Sequence, residues 1–337
     1  MYDSWALDAG LRPQVSYTSV DHQRVIHRGP HPSIKLATLG GMPTRPYRPR
    51  ELEWRVFLGS EAIRRGLLTP NQLRSSAWVR VRYDVFADAR RPLDHELACR
   101  AALLRLPPGT VLSGPSAAFL HGVEHAARYG DSVHVTVPRR IGVRRGIRVH
   151  VATLGEGDVR TNGLPMTTPG RTAWDLAVWL DIPNAVAAID TLLHKSLTTP
   201  DELATRLKNH AHDRGGRKAH HAISLADGRA QSPPESRLRV GLVLAGLPPP
   251  VPHHSIRLPS GLTLHPDLAW PEYKVAVEYD GHWHGAPAHL SLDRRRLNEL
   301  QAAGWLVLHV TSDRLYRDFP ALARQIKDAL TSRGWKR

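Results

Sequence analysis

The sequence has one cysteine, no long apolar run and a shortage of acidic residues. Because Cys99 is the only cysteine in 337 residues, an internal disulfide and a zinc site built from several cysteines are excluded. No uncharged apolar run reaches the roughly 18 residues that a membrane helix needs. The first residues include acids and lack the apolar core of a signal peptide. We therefore expect a cytoplasmic protein without a membrane-spanning segment.

The shortage of acids leaves a large positive charge. The chain has 46 Lys and Arg residues against 31 Asp and Glu residues, a formal net charge of +15. Most of the basic residues are arginine, whose guanidinium binds phosphate in a bidentate way. Such a surface attracts polyanions, of which nucleic acid is the commonest soluble one. The composition favours DNA as a partner and leaves the oligomeric state open.

Changes in composition and periodicity divide the chain into four segments. Residues 1–48 are rich in Pro, Gly, Ser, Thr and His without a regular period, and we predict a disordered leader there. Residues 49–92 predict a winged-helix DNA-binding domain, with a small α+β capping unit as the alternative. Residues 93–228 predict an α+β middle domain, and AQSPPES separates it from residues 230–337. The fold class expected is α/β in the broad sense, more strictly α+β.

The winged-helix prediction depends on three local patterns. Apolar residues at helical spacing predict one helix from Glu51 to a stop at Gly66. Thr69 followed by Pro70 is typical of the start of a second, short helix. The stretch WVRVRYDVFAD alternates apolar and charged residues, as the paired strands of a wing do.

A basic segment lies between two predicted strands of the middle domain. The strands cover residues 132–138 and 146–154, and RRIGVRRG connects them. We predict a hairpin whose tip clamps phosphate groups, with a solvated turn as the equally weighted alternative. The residues of this predicted nucleic-acid contact are Arg139, Arg140, Arg144 and Arg145.

The last segment gathers carboxylates on a predicted hairpin. Asp267 lies on its first strand, whereas Glu278 and Asp280 lie on one face of its second strand. With a turn near residues 271–274, Asp267 is within cross-strand reach of Glu278. Three such carboxylates raise one another's pKa unless a cation neutralises them, and oxygen ligands favour Mg²⁺ or Mn²⁺. We therefore predict a metal site formed by Asp267, Glu278 and Asp280.

A carboxylate-bound metal in a basic protein indicates hydrolysis of phosphodiester bonds. The ion polarises the scissile phosphate and lowers the pKa of the attacking water. Arginine side chains would hold the nucleic-acid backbone.

Ordered motifs in residues 230–337 resemble PD-(D/E)XK nucleases related to very-short-patch-repair (Vsr) endonucleases. Pro266-Asp267 precedes Glu278 by eleven residues, and an ExDGxxH motif begins at Glu278. The later DxxRxxxLxxxGW motif also resembles this family, and Glu235 matches its upstream helix acid. The resemblance implies a restriction-endonuclease-like mixed sheet flanked by helices, and a metal-dependent DNA endonuclease of repair or defence. Its implied catalytic residues are Glu235, Asp267, Glu278, Asp280 and His284.

The sequence departs from that family at one position. Asp280 occupies the place where the motif has a lysine, which would stabilise the attacking hydroxide or the developing phosphorane charge. In its absence His282, His284 or Arg296 supplies that function, or a second metal held partly by Asp280 does. Arg296 is also predicted to contact nucleic acid.

The front of the chain resembles AbiEi-type antitoxins. The stretch from FLGSEAIRRGLLTPNQ to VRYDVFAD resembles their winged-helix segment. LSGPSAAFLHGV and NGLPMTTPGRTAWDLA resemble the domain that follows it in actinobacterial members. Two alternatives to a DNA endonuclease follow: a non-catalytic DNA-binding regulator or antitoxin of a type IV toxin–antitoxin-like system, and an RNA-cleaving toxin. The missing lysine favours the first of these.

Overall fold

The computed structural model describes residues 46–142, 144–160, 163–258, 260–280 and 298–336. The predicted leader therefore lies outside the described residues, except for its last three. Among the described residues, no helix is long and apolar enough to cross a membrane. The chain combines helices with separate antiparallel and mixed sheets, which confirms the predicted α+β class.

The first unit is a small sheet with two short helices. Its strand order is β1-β3-β2, with antiparallel neighbours. The buried side chains of Phe57, Leu73 and Trp78 belong to its core. The two short helices are followed by the antiparallel strands β2 and β3, the pair that the sequence predicts as a wing. The elements are β1 (Val56–Leu58), α1 (Gly59–Arg64), α2 (Pro70–Leu73), β2 (Trp78–Arg82) and β3 (Val85–Asp88).

The prediction of one helix from Glu51 to Gly66 is wrong. Trp54 has a φ of 57° and interrupts any helix at that point. Residues Val56–Leu58 instead pair with β3, because β-branched and aromatic side chains suit a half-buried sheet. Only Gly59–Arg64 is α-helical. The predicted start of α2 is confirmed, since Thr69 and Gln72 form a reciprocal capping box.

The middle domain surrounds a five-stranded sheet of order β6-β5-β4-β8-β7. One apolar core lies against this sheet, and a second lies among the helices that follow it. Burial raises the pKa of the Cys99 thiol to about 12, so this thiol is protonated at neutral pH. The elements are α3 (His95–Leu103), β4 (Val111–Leu112), α4 (Gly114–Leu120), β5 (Val133–Val137), β6 (Ile147–Val151), β7 (Val159–Arg160), β8 (Met166–Thr167), α5 (Pro169–Trp179), α6 (Ile182–His194), α7 (Pro200–Asn209) and α8 (Gly216–Ser224).

The hairpin predicted around the basic segment is wrong. Strands β5 and β6 pair in parallel, with Val133 opposite Ile147 and Val137 opposite Val151. A parallel pair needs a connection that returns along the whole strand, so Arg139 and Arg140 follow the end of β5 whereas Arg144 and Arg145 precede the start of β6. At about 3.3 Å per residue, five-residue strands separate these two arginine pairs by roughly 16 Å. The four arginines do not form one tip.

The C-terminal unit contains a four-stranded mixed sheet of order β14-β13-β12-β9. Strands β12 and β13 form the predicted antiparallel hairpin, and β13 pairs in parallel with β14. Helices flank this sheet, as predicted. The elements are α9 (Pro233–Leu244), β9 (Val251–Pro252), β10 (Ile256–Arg257), β11 (Thr263–Leu264), β12 (Leu268–Trp270), β13 (Val275–Asp280), α10 (described over 298–302), β14 (Leu306–Thr311), α11 (Ser312–Arg317) and α12 (Phe319–Ser332).

Helix α9 belongs to two cores at once. Val240 packs in the helical core of the middle domain, whereas Leu238 and Leu242 pack against the C-terminal sheet. Between them, Arg239 donates from Nη2 to Oδ2 of Asp190 on α6 at 2.8 Å, and both side chains are buried. The change of composition near residue 230 is therefore not a break in packing.

Arg239→Met tests this junction. The variant keeps the volume of the side chain but leaves the Asp190 carboxylate buried without its guanidinium. Breaking a buried ion pair on one side costs about 3–5 kcal/mol, and we expect a loss of that size in the free energy of unfolding, measured by urea denaturation. The control is Arg317→Met, because Arg317 and Asp313 form an exposed pair worth no more than about 1 kcal/mol. Equal losses in the two variants would contradict the assignment.

Candidate metal centre and basic cleft

Three metal-ligating side chains meet at one end of the C-terminal sheet. Glu235 comes from the first turn of α9, His253 follows β9, and Asp267 precedes β12. Their ligand atoms all lie within 4.8 Å of one another. Glu235 is buried, and the other two are half-buried. Two carboxylates and an imidazole at this spacing form a candidate site for a divalent cation.

The local structure holds the Glu235 carboxylate in place. Ser232 is the N-cap of α9 and donates its hydroxyl to Oε1 of Glu235 at 2.6 Å. The backbone N–H of Gln231 donates to Oε2 at 3.0 Å. Oε2 also lies 3.0 Å from Nε2 of His253. The prediction that Glu235 opens this helix is confirmed.

Asp267 is held by the neighbouring strand. Its Oδ2 accepts the backbone N–H of Tyr279 at 2.7 Å. Burial raises the pKa of the Asp267 carboxyl, and the negative charges of Glu235 and Asp280 raise this pKa further. The Tyr279 hydrogen bond and His253 oppose this rise. The ionised carboxylate is therefore disfavoured in this position unless a cation compensates it.

The hairpin sets Asp267 across from Glu278, but among the described residues the group of ligand atoms within 4.8 Å of one another contains neither Glu278 nor Asp280. Leu268 pairs with Val277, so the same register continued by one residue sets Asp267 opposite Glu278. Asp280 ends β13, and its Oδ2 lies 3.1 Å from Nδ1 of His309. The roles of Glu278 and Asp280 as metal ligands remain predictions. His282, His284 and Arg296 lie outside the described residues.

Sequence reasoning missed His253 and His309. His253 has a φ of 47° and contacts an acid 18 residues earlier in the chain, so no short motif reveals it. His309 lies opposite Glu278 across the parallel β13–β14 pair. Its signal was a polar residue in the otherwise apolar stretch LVLHV, but its position depends on a strand pairing that local patterns do not specify.

A basic cleft of about 610 Å³ separates the wing from the middle domain. The start of β6 forms one side and the β2–β3 turn forms the other. Arg105, Arg144 and Arg145 are exposed along it. The Tyr83 side chain at the turn is 75% exposed. The guanidinium groups of Arg80 and Arg105 lie 5.6 and 5.8 Å from the centroid of its ring, within cation–π distance.

Arg82 fixes the two sides of this cleft to each other. Its Nη1 donates to the carbonyl of Arg145 at 3.1 Å, and its Nη2 donates to the carbonyl of Gly146 at 3.1 Å. Burial lowers the pKa of the Arg82 guanidinium. Because Arg82 is occupied with backbone carbonyls, Arg105, Arg144 and Arg145 are the side chains that offer positive charge to a ligand.

Comparison with known proteins first defines the class of the middle domain. Residues 108–225 match the family model of the AbiEi antitoxin C-terminal domain. The match begins just before β4 and ends just after α8, so it covers the five-stranded sheet and the helices that follow it. The predicted resemblance of the middle domain to AbiEi-type antitoxins is confirmed. The predicted resemblance of residues 230–337 to Vsr-like nucleases has no such support.

About three quarters of the chain also aligns with nearly the full length of two known proteins. It is 32% identical over 263 residues to the uncharacterized proteins MT2308 and Rv2248 of two Mycobacterium tuberculosis strains, CDC 1551 and H37Rv. The alignment covers 76% of this chain and 93% of each relative. The chain belongs to the family of these mycobacterial proteins. No solved structure matches it significantly.

Asp267→Asn tests the electrostatic description of the candidate metal centre. Asparagine keeps an oxygen for the Tyr279 N–H and removes the charge that burial and the neighbouring acids disfavour. In a chelating buffer we expect the free energy of unfolding at neutral pH to rise by about 1 kcal/mol, measured by urea denaturation.

The pH dependence gives the sign of this effect. A carboxyl with a raised pKa in the folded protein costs stability once the pH exceeds its ordinary range, and this cost disappears as the pH falls and both states become protonated. The gain from Asp267→Asn should therefore shrink toward acidic pH. Asp313→Asn, at an exposed carboxylate, is the control. A destabilised Asp267→Asn protein at neutral pH would refute the description.

Proposed function

We propose that this protein is a DNA-binding component of a toxin–antitoxin-like system, in which the winged-helix unit and the AbiEi-like middle domain hold one DNA segment between them. The observation that carries the proposal is the basic cleft. This cleft lies between the wing and the domain that matches the AbiEi antitoxin model, and exposed arginines line it. The net charge of +15 supports a polyanionic partner.

The cleft has the chemistry of a phosphate-backbone site. Arginine forks bind phosphate oxygens in a bidentate way and release counterions, so binding weakens as salt rises. The exposed ring of Tyr83 offers a stacking surface to a ribose or base, and the Arg82 hydrogen bonds reduce the freedom of the two sides. A pre-organised cleft loses less entropy when a ligand binds.

Arg144→Ala and Arg145→Ala test the DNA contact. Each substitution removes one phosphate-neutralising charge while Arg82 still bonds to the unchanged backbone carbonyls. We expect weaker binding to all DNA duplexes and a salt slope smaller by about 1 for each arginine lost, measured by fluorescence anisotropy over a range of NaCl concentrations.

The matched control is the pair Arg139→Ala and Arg140→Ala. These residues are exposed and lie in the same connection, but they follow the far end of β5. We expect the double control to retain more affinity than the double variant at 144 and 145. Equal losses would place the DNA elsewhere, and full affinity in the Arg144 and Arg145 variants would overturn the cleft as the binding site.

A second function, metal-dependent cleavage of DNA, is favoured by the candidate metal centre. Glu235, His253 and Asp267 lie close to the strand that carries Glu278. A bound ion would polarise the scissile phosphate and lower the pKa of the attacking water. His309, near Asp280, adds a candidate for the role of the missing lysine.

Glu278→Ala tests this second function. We expect wild type to nick plasmid or branched DNA with Mg²⁺ or Mn²⁺ and not with EDTA, and we expect the variant to lose at least a hundredfold in rate, because a metal ligand would be removed. The rate of cleavage is measured by gel electrophoresis of DNA and RNA substrates. Glu272→Ala is the control, because Glu272 lies in the β12–β13 turn. If no DNA form is cut, the DNA-binding function stands alone; cleavage of RNA only would support an RNA-cleaving toxin.

A further inference from the structure

We infer that His253 is a ligand in the candidate metal centre, and that this centre is a mixed nitrogen and oxygen site which selects a divalent first-row transition ion such as Mn²⁺ over Mg²⁺. The inference rests on the metal centre of the second proposed function. It adds an imidazole nitrogen to the oxygen ligands that the sequence predicts.

Two independent connections bring His253 into the group. Its backbone N–H donates to the carbonyl of Asp267 at 3.2 Å, which continues the β9–β12 pairing beyond Pro252 and Leu268. Its side chain reaches in the other direction, and Nε2 lies 3.0 Å from Oε2 of Glu235. His253 therefore contacts both Asp267 and Glu235, and the ligand atoms of the three side chains lie within 4.8 Å of one another.

The backbone of His253 adopts an unusual conformation at this point. Its φ of 47° lies in the left-handed region, which is uncommon for residues other than glycine and costs free energy. In a regular strand, the side chain would follow the alternation of β9. With this left-handed backbone, the His253 side chain contacts Glu235. Strained backbone conformations of this kind are concentrated at functional sites.

The ligand types decide which ion fits. Mg²⁺ prefers oxygen ligands in an octahedron and retains its water, whereas first-row transition ions, Mn²⁺ included, accept an imidazole nitrogen more readily than Mg²⁺ does. Two carboxylates balance the charge of a divalent ion, and a neutral imidazole adds a nitrogen without further charge. In the ion-free protein Nε2 of His253 and Oε2 of Glu235 share a hydrogen bond. A bound ion would take the place of its proton, which would leave to solvent, and the imidazole would then carry its remaining proton at Nδ1.

His253→Asn is the variant that separates ligation from folding. Asparagine tolerates the left-handed conformation better than most residues, so the turn is preserved while the imidazole is lost. His254→Asn is the matched control, because His254 is the next residue, is also half-buried and packs near Trp305 instead. Thermal midpoints in chelating buffer check that both variants fold like wild type.

The full chain, stripped of metal, is titrated with MnCl₂ and with MgCl₂ in a calorimeter. We expect wild type to bind Mn²⁺ at least tenfold more tightly than Mg²⁺. His253→Asn should weaken Mn²⁺ binding at least tenfold and change Mg²⁺ binding less than twofold, whereas His254→Asn should match wild type. Pulsed paramagnetic resonance of the wild-type Mn²⁺ complex should show coupling to an imidazole nitrogen, which His253→Asn removes.

Several outcomes overturn the inference: no Mn²⁺ binding by wild type, equal affinity for the two ions, unchanged Mn²⁺ affinity in His253→Asn, or no nitrogen coupling. The absence of nitrogen coupling in wild type overturns the inference even if His253→Asn fails to fold. Failure of the nuclease function is distinguishable. If Mn²⁺ binding depends on His253 but the protein cuts no DNA, the metal centre is supported and the nuclease function is not. If Mg²⁺ drives cleavage and His253→Asn binds Mn²⁺ like wild type, the nuclease function is supported and the inference about His253 is refuted.

Discussion

The buried ion pair between Arg239 and Asp190 is the contact on which the arrangement of the molecule depends. It joins α9 to α6, and both side chains are buried, so removing either charge leaves the other without a partner. The same helix begins with Glu235 and contributes apolar side chains to both neighbouring cores. The position of a candidate metal ligand is therefore set by packing against the AbiEi-like domain as well as by the C-terminal sheet.

The two candidate sites place opposite charges in different parts of the chain. The cleft beside the wing exposes guanidinium groups and offers positive charge. The end of the C-terminal sheet instead brings the carboxylates of Glu235 and Asp267 together, and burial raises the pKa of Asp267. A phosphate backbone is attracted to the first and repelled by the second unless a cation is bound there. An ion at the metal centre would thus change which nucleic-acid segments the C-terminal unit tolerates.

Much of the local structure could be predicted from the sequence. The Thr69 cap, the alternation of the wing and the turn between β12 and β13 all depend on residues only a few positions apart, and capping hydrogen bonds and strand alternation act over that range. The same reasoning placed Asp267 across from Glu278. It failed at residues 51–58, where pairing with the distant strand β3 outweighs a helical spacing of apolar residues.

The α+β class, the basic character of the chain and the acids of the β12–β13 hairpin can be read from the residues alone. The parallel direction of β5 and β6, which separates the four arginines, and the meeting of His253 with Glu235 and Asp267 come from the three-dimensional fold. The physical reason is that strand direction and contacts between distant residues depend on the path of the chain in space. Composition and period describe only what each short segment favours.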